Sequence, residues 1–263
     1  MDKYTLITGA SKGIGLELAK VFAKNKYNLI LVARSTEILE ELKVSLSQTY
    51  NIKVEVFSID LTKENASYEL YEQTKSKNLV VEHLINNAGF GDYGVYLETS
   101  DTKNQNMIQL NIIALIQLCK VYARDMLDNG YGKIMNVASI ASFIPGPLMA
   151  TYYASKSFVL SFTEALSREF KGTGVTVTAL CPGTTKTNFF DVASANESNL
   201  LKNLKPAPAY KVASYGYKKF MRGKVVAIYG LKNRLMIFAI RLVPRSIVRN
   251  IAYKIQDKRK NAK

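Results

Sequence analysis

The stretch Lys3-Tyr4-Thr5-Leu6-Ile7-Thr8-Gly9-Ala10-Ser11-Lys12-Gly13-Ile14-Gly15 decides how this chain folds. Its first six residues are β-rich. After it, Leu16, Ala19, Val21 and Phe22 recur at helical spacing. Strand, glycine-rich turn and helix, in that order, form the context that a dinucleotide-binding loop requires. Glycines let the backbone turn tightly and approach a pyrophosphate, and a helix N-terminus presents free N–H groups to the anion. A glycine-rich turn of purely structural use has the same spelling, so the rest of the chain must decide between them.

Working outward, the same alternation recurs. Asn28 to Val32 is a nearly all-apolar strand, as expected where a parallel sheet is covered on both faces. Ser35 to Tyr50 reads as helix, Ile52 to Ile59 as strand, Thr62 to Lys77 as helix and Val81 to Asn86 as strand. Thr102 to Asn129 is helical, Gly132 to Val137 a fifth strand, Val175 to Leu180 a sixth and Lys224 to Ile228 a seventh. Short connections between alternating elements predict an α/β chain with a parallel sheet of about seven strands and helices on both faces. Residues 1–230 read as one cofactor-binding and catalytic domain, with a substrate loop over about 184–223. Residues 231–263 read as a basic C-terminal extension.

With 263 residues, 48% hydrophobic and 22% charged, the chain suits one large domain with a sizeable core. Cys119 and Cys181 lie far apart without C-x-x-C partners, which argues against disulfide scaffolds and zinc sites. His83, the single histidine, sits within an apolar strand pattern and reads as structural, so no metal site is expected. No apolar run approaches about 18 residues, and no separate signal segment precedes Tyr4, so a cytoplasmic chain is expected.

Strand ends supply the candidate chemistry. The second strand runs into Ala33-Arg34 rather than an acid. Arg34, with Lys12 in the glycine turn, would face a 2′-phosphate and favour NADPH over NADH, unless both are simply solvated. Asp60-Leu61 closes the third strand, placed to meet an adenine edge or to cap a helix. Tyr152 and Lys156 are four residues apart, which puts them on one face of a helix. A cation roughly 4 Å from a phenol, at an effective dielectric of about 20, favours phenolate by about 4 kcal/mol. Tyr152 would then titrate well below its ordinary value near 10 and exchange protons at neutral pH.

Taken together, Thr8 to Gly15, Asn86-Asn87-Ala88-Gly89, Asn111, Ser139, Tyr152 with Lys156, and Pro182-Gly183 followed by Thr187 resemble the short-chain dehydrogenase/reductase family, in its order, over Lys3 to about Phe190. The resemblance implies a single-domain, doubly wound Rossmann fold and a Tyr/Lys/Ser/Asn site. Tyr152 would be the general acid of ketone reduction, Lys156 would hold the nicotinamide ribose, and Ser139 would bond the substrate oxygen. Asn111 would keep a water in line with Lys156. Cofactor contacts would come from Gly9, Ser11, Lys12, Gly13, Ile14, Gly15, Arg34, Asp60, Leu61, Asn87, Ala88, Gly89, Tyr152, Lys156, Pro182, Gly183, Thr185 and Thr187. The resemblance also implies an NADPH-preferring carbonyl reductase that forms a homodimer or homotetramer through the helices carrying Asn111 and Tyr152.

Phe90, Tyr93, Ile140, Phe143, Phe189 and Phe190 lie on loops after strands, where open sheets bind ligands. Their character suggests a hydrophobic ketone or aldehyde, acyl-, steroid- or ring-like, although aromatic residues in such loops also serve as local core. A non-catalytic NADP(H)-binding regulator is the competing reading. Of the net charge of +15, +11 belongs to Arg222–Lys263. This tail lacks the aromatic interleaving of single-strand binders, and no nucleic acid is expected. Pro244 should divide it into two short helices. Arg234, Arg241, Arg245 and Arg249 would share one stripe, and the element would either cover the substrate pocket or lie in an anionic membrane interface.

Overall fold

The computed structural model describes residues 2–187, 189, 193 and 206–257. In chain order the elements are β1 (Lys3–Thr8), α1 (Gly13–Lys24), β2 (Asn28–Ala33), α2 (Thr36–Tyr50), β3 (Val54–Ser58), α3 (Ala66–Ser76) and β4 (Val80–Asn86). Next come α4 (Asp101–Ile108), a π-helical segment (Gln109–Ala114), α5 (Leu115–Asp128), β5 (Gly132–Val137), α6 (Ala150–Glu169) and β6 (Val175–Cys181). Two short strands, β7 (Thr185–Lys186) and β8 (Ala207–Pro208), pair with each other. The chain continues through α7 (Ala209–Met221), β9 (Val226–Ile228), α8 (Leu231–Ile240) and α9 (Arg245–Gln256).

Seven strands form one parallel sheet in the order β3-β2-β1-β4-β5-β6-β9. Successive side chains of a strand point to opposite faces, so a strand buried on both sides is apolar at most positions. Leu6 packs into one core with Ile30, Leu84 and Ile134, under α3, α5 and α6. Its neighbour Ile7 packs into the other with Leu31, Ile85 and Met135, under α1, α2 and α7. Fully burying one such side chain stabilises the fold by about 1.5–3 kcal/mol. The doubly wound sheet and both helical layers are as the sequence predicts.

Four expectations change. The stretch read as a substrate loop over about 184–223 contains α7, whose Val212, Ala213 and Phe220 are fully buried against the sheet and α1. Residues from 231 onward do not stand apart as an extension, because α9 buries Val248, Ala252 and Gln256. One helical run, Asp101–Asp128, is long and apolar enough to cross a membrane, where none was expected. It lies along the sheet instead, with Leu118, Tyr122 and Met126 buried in the core. The arginine stripe does not form. The chain breaks between α8 and α9 as Pro244 predicts, and Arg234 is tied to the fold, donating to the Ile228 carbonyl and the Tyr215 hydroxyl.

His83 is structural, as expected. Its Nδ1 meets the Thr5 hydroxyl at 3.1 Å, and Phe22, Tyr27 and Phe220 surround the ring. Burial holds its pKa down to about 4.

Candidate active site

The strand order reverses between β1 and β4, and the loops leaving these strands open a crevice at their carboxyl ends. Thr8 sews the two loops together, its hydroxyl oxygen accepting from the Asn87 and Ala88 backbone N–H groups, each at 3.0 Å. The Asn87 side-chain amide donates to the carbonyls of Thr8 (2.9 Å) and Gly9 (3.2 Å). Gly9 adopts φ +65°, a conformation that glycine reaches without penalty. A Cβ on Gly15 would lie 2.2 Å from the Gly9 carbonyl oxygen, so only glycine fits there. Helix α1 starts at Gly13 with no side chain capping it, which leaves its first N–H groups for an anion. This cradle fits the pyrophosphate of a dinucleotide.

A cleft of about 1000 Å³ runs from that turn across the sheet. Ser11, Lys12, Gly13 and Ile14 line it beside Gly9, whereas Gly15 packs behind the turn. Arg34, Asp60 and Leu61 form its far wall, and Asn87, Ala88, Gly89, Pro182, Gly183, Thr185 and Thr187 line its middle. Asp60 is not a helix cap, because α3 begins only at Ala66. Its carboxylate accepts from the Thr62 N–H (3.1 Å) and hydroxyl (2.8 Å). Burial opposes its charge, but those bonds and Arg34 outweigh burial and leave its pKa below the ordinary value.

The opposite wall carries the reactive groups. Tyr152 and Lys156 lie one turn apart on α6, both buried. Ser139 opens a short 3-10 turn, accepts from the Ala141 N–H at 3.1 Å and lies beside the Tyr152 phenol on the same wall of the cleft. Ser142 and Ser157 lock that turn to α6 by donating to the carbonyls of Lys156 (2.7 Å) and Ser142 (3.0 Å). Asn111 sits on the π-helical segment, where the wider i→i+5 bonding re-aims side chains. Its amide donates to the Phe90 carbonyl (2.9 Å) and the Ser155 hydroxyl (3.0 Å), and its oxygen accepts from the Phe90 N–H (3.1 Å). A Cβ on Gly89 would fall 2.9 Å from the Asn111 oxygen and 3.4 Å from the Lys156 ammonium, so Gly89 keeps those two groups adjacent.

The protonation of this pair differs from the expectation. Burial pushes the Tyr152 phenol above its ordinary pKa, with the nearby Ser139 hydroxyl opposing. Burial lowers Lys156 to about 8. The Lys156 ammonium lies 5.9 Å from the centre of the Tyr152 ring and donates to the Val137 carbonyl at 2.8 Å. A cation engaged by a carbonyl at that distance does not offset the hydration that a buried phenolate loses.

At the substrate end, Phe90, Ile140 and Phe189 line the cleft as expected. Phe143 does not; it packs against the core beneath α6. Tyr93 packs at this end with Phe90, Ile144 and Phe189 against Met149, Tyr152 and Tyr153, and its hydroxyl donates to the Gln256 carbonyl at 2.7 Å and so anchors α9. Phe190 lies outside the described residues. Sequence reasoning missed Ile144, Met149 and Tyr153. The expectation that the C-terminal element covers the pocket is met by Met236, Ala252, Ile255 and Gln256, which supply a further wall, although those residues were not named in advance. The Gln256 amide donates to the Tyr153 hydroxyl at 3.0 Å, across 103 positions of sequence. No local pattern signals such a pairing.

Among the described residues no cluster of histidine, cysteine or acidic side chains could hold a metal ion. The model of the short chain dehydrogenase family matches residues 3–198. Very-long-chain 3-oxoacyl-CoA reductases are similar in sequence. The Vanderwaltozyma polyspora protein is 35% identical over 66% of this chain, and the Danio rerio reductase-B is 28% identical over 69%. This chain spans little more than half the length of those relatives, 53% and 59% respectively. Among solved structures, a short-chain dehydrogenase from Sphingobium yanoikuyae in complex with NADPH superposes with a TM-score of 0.83 at 28% identity, covering 94% of this chain and 95% of that one.

Proposed function

Since the chain belongs to the short-chain dehydrogenase/reductase family and is an oxidoreductase of carbonyl and alcohol groups, we propose that it uses NADPH to reduce the carbonyl of a hydrophobic, acyl- or ring-bearing substrate. The observation that carries this reading is the convergence of Tyr152, Ser139 and Lys156 on one wall of a cleft whose far end is the glycine turn. The NADPH-bound relative and the 3-oxoacyl-CoA reductases support the choice of cofactor and substrate class.

The cofactor would lie along Gly9, Ser11, Lys12, Gly13 and Ile14, with its adenosine end toward Arg34, Asp60 and Leu61. When bound it supplies the hydride. Everything else falls to the chain. Tyr152, whose raised pKa keeps it protonated through neutral pH, gives its proton to the substrate oxygen as charge develops there. Ser139 donates a hydrogen bond to the same oxygen. Lys156 holds the ribose and, with a pKa of about 8, can return a proton to Tyr152 near neutral pH. Asn111 stands beside Lys156 to pass that proton from solvent through a water. Phe90, Ile144, Met149 and Phe189 exclude water from the reacting centre and favour an apolar substrate. Pairing into a homodimer or homotetramer would use α4, α5 and α6, where Ile108 and the stacked pair Phe158 and Phe162 lie toward the surface.

Purified protein with NADPH and a panel of long-chain 3-oxoacyl thioesters and bulky ketones tests this, read as loss of cofactor absorbance. Tyr152→Phe should slow turnover by about 10²- to 10⁴-fold with cofactor binding intact. A variant as fast as its parent removes Tyr152 as the acid.

A further inference from the structure

The C-terminal helices have two faces, and the cleft accounts for only one. Val248, Ala252 and Gln256 of α9 turn inward, as does Ile237, the one buried residue of α8. Outward, Leu231, Leu235 and Phe238 follow one another at steps of four and three, which places them on a single stripe of α8, and Leu242 follows in the turn after it. They are 69%, 60%, 64% and 76% exposed. On α9, Ile247, Ile251 and Ile255 repeat at steps of four and are about half exposed. An isolated exposed leucine needs no explanation, but two adjacent rows of large apolar side chains mark a contact surface.

Charge says what covers it. From Arg222 to Gln256 there is no acidic residue, while Lys232, Arg241, Arg245, Arg249 and Lys254 are all exposed on or between the two helices. A second copy of this chain would bring the patch against itself and set basic groups against basic groups with no acid to pair them, which disfavours a two-fold interface. A nucleic acid would satisfy the cations but not two rows of leucine, isoleucine and phenylalanine. Hydrocarbon beneath a layer of anionic headgroups satisfies both.

We propose that α8 and α9 form a docking surface for an anionic lipid bilayer. Met236 and Ile255 belong both to this surface and to the wall of the cleft, so the two share an edge. An apolar substrate leaving the bilayer would then reach the cleft without crossing water. That consequence rests on the substrate reading above; vesicle binding does not, and is measured without any substrate.

The test is co-sedimentation of the full chain with vesicles of mixed phosphatidylcholine and phosphatidylglycerol, and with phosphatidylcholine alone. The parent should sediment with the anionic vesicles at low salt, and the bound fraction should fall roughly tenfold as added salt shortens the screening length. Leu235→Glu/Phe238→Glu should abolish sedimentation, and Arg245→Glu/Arg249→Glu should reduce it to the level seen with neutral vesicles. These side chains are exposed, so an unchanged thermal transition shows that each variant has folded. Failure of the parent to bind anionic vesicles at low salt overturns the proposal. So does binding that survives both double variants. Loss of self-association in Leu235→Glu/Phe238→Glu, without any vesicle binding by the parent, would assign the surface to a second copy instead.

Discussion

At the scale of single residues, Lys156 shows what the site costs the fold. Its pKa falls from 10.5 to about 8 because burial strips the ammonium of water and leaves it one strong partner, the Val137 carbonyl. A group depressed in the folded state destabilises progressively as pH falls from its unfolded pKa to its folded one. The penalty therefore grows between pH 10.5 and 8 and is complete below that. The full shift corresponds to about 3 kcal/mol at neutral pH. Lys156→Met should raise the unfolding free energy at pH 7 by about 1–3 kcal/mol, the lost Val137 bond offsetting part of the gain, while turnover collapses. Denaturant unfolding at pH 7 and at pH 10.5 checks this, because the advantage must shrink at the higher pH; equal stability at pH 7 would refute it. Arg34 carries the cofactor prediction at the same scale. Its guanidinium lies on the cleft wall and can form charge-assisted bonds to a 2′-phosphate. Arg34→Asp should reverse a preference for NADPH over NADH in binding titrations, and equal affinity of the parent for both cofactors would sink the idea.

Among the elements, the β1–turn–α1 unit is held by contacts too close to relax. A Cβ on Gly15 meets backbone, the Gly9 carbonyl at 2.2 Å, and also the Asn87 amide at 2.5 Å. The first cannot swing away, and the second, although a side-chain end, is held by its bonds to the Thr8 and Gly9 carbonyls. Gly15→Ala must therefore push α1 away from β1 and the Asn87 loop, at about 1–3 kcal/mol of stability. Because the same displacement opens the anion cradle, dinucleotide affinity should fall with it. Calorimetric titration with NADPH alongside thermal unfolding would show both losses, and retention of parental affinity would mean that the turn does not depend on this contact. The unit was plain in the sequence because strand, glycines and helix are contiguous. The π-helical segment was not. Thr102 to Asn129 reads as an unbroken helix, and the widening at Gln109–Ala114 that aims Asn111 toward Phe90 and Ser155 leaves no mark in apolar spacing.

Across the whole molecule, legibility followed the range of the contacts. Strands buried on both faces are mostly apolar and β-branched, so the sheet could be read from the runs at Lys3–Thr8, Asn28–Ala33 and Val175–Cys181. Tyr152 and Lys156 share one turn of helix and could be read as a pair. Their protonation could not, because it depends on how deeply α6 is buried. Phe143 in the core, Tyr93 on α9, and Gln256 on Tyr153 are long-range outcomes that residue type alone does not decide. The same global packing gives the fold its acid sensitivity. His83 is the only histidine, and burial among Phe22, Tyr27 and Phe220 lowers it to about 4, with Lys133 and Lys3 acting in the same direction and Glu82 against. Its stabilisation is fully present above about pH 6.5 and is lost as pH falls toward 4, where an unfolded chain takes up a proton that the folded one refuses. That window should remove about 3 kcal/mol of unfolding free energy. Asp60, lowered from 3.8, sheds its own contribution only at more acid pH and does not blur the result. Urea unfolding between pH 7 and 4.5, with the single imidazole followed by NMR, checks the assignment. The imidazole signal should stay fixed while stability declines, and a titration midpoint near 6.5 in the folded protein would show that His83 is not the group responsible.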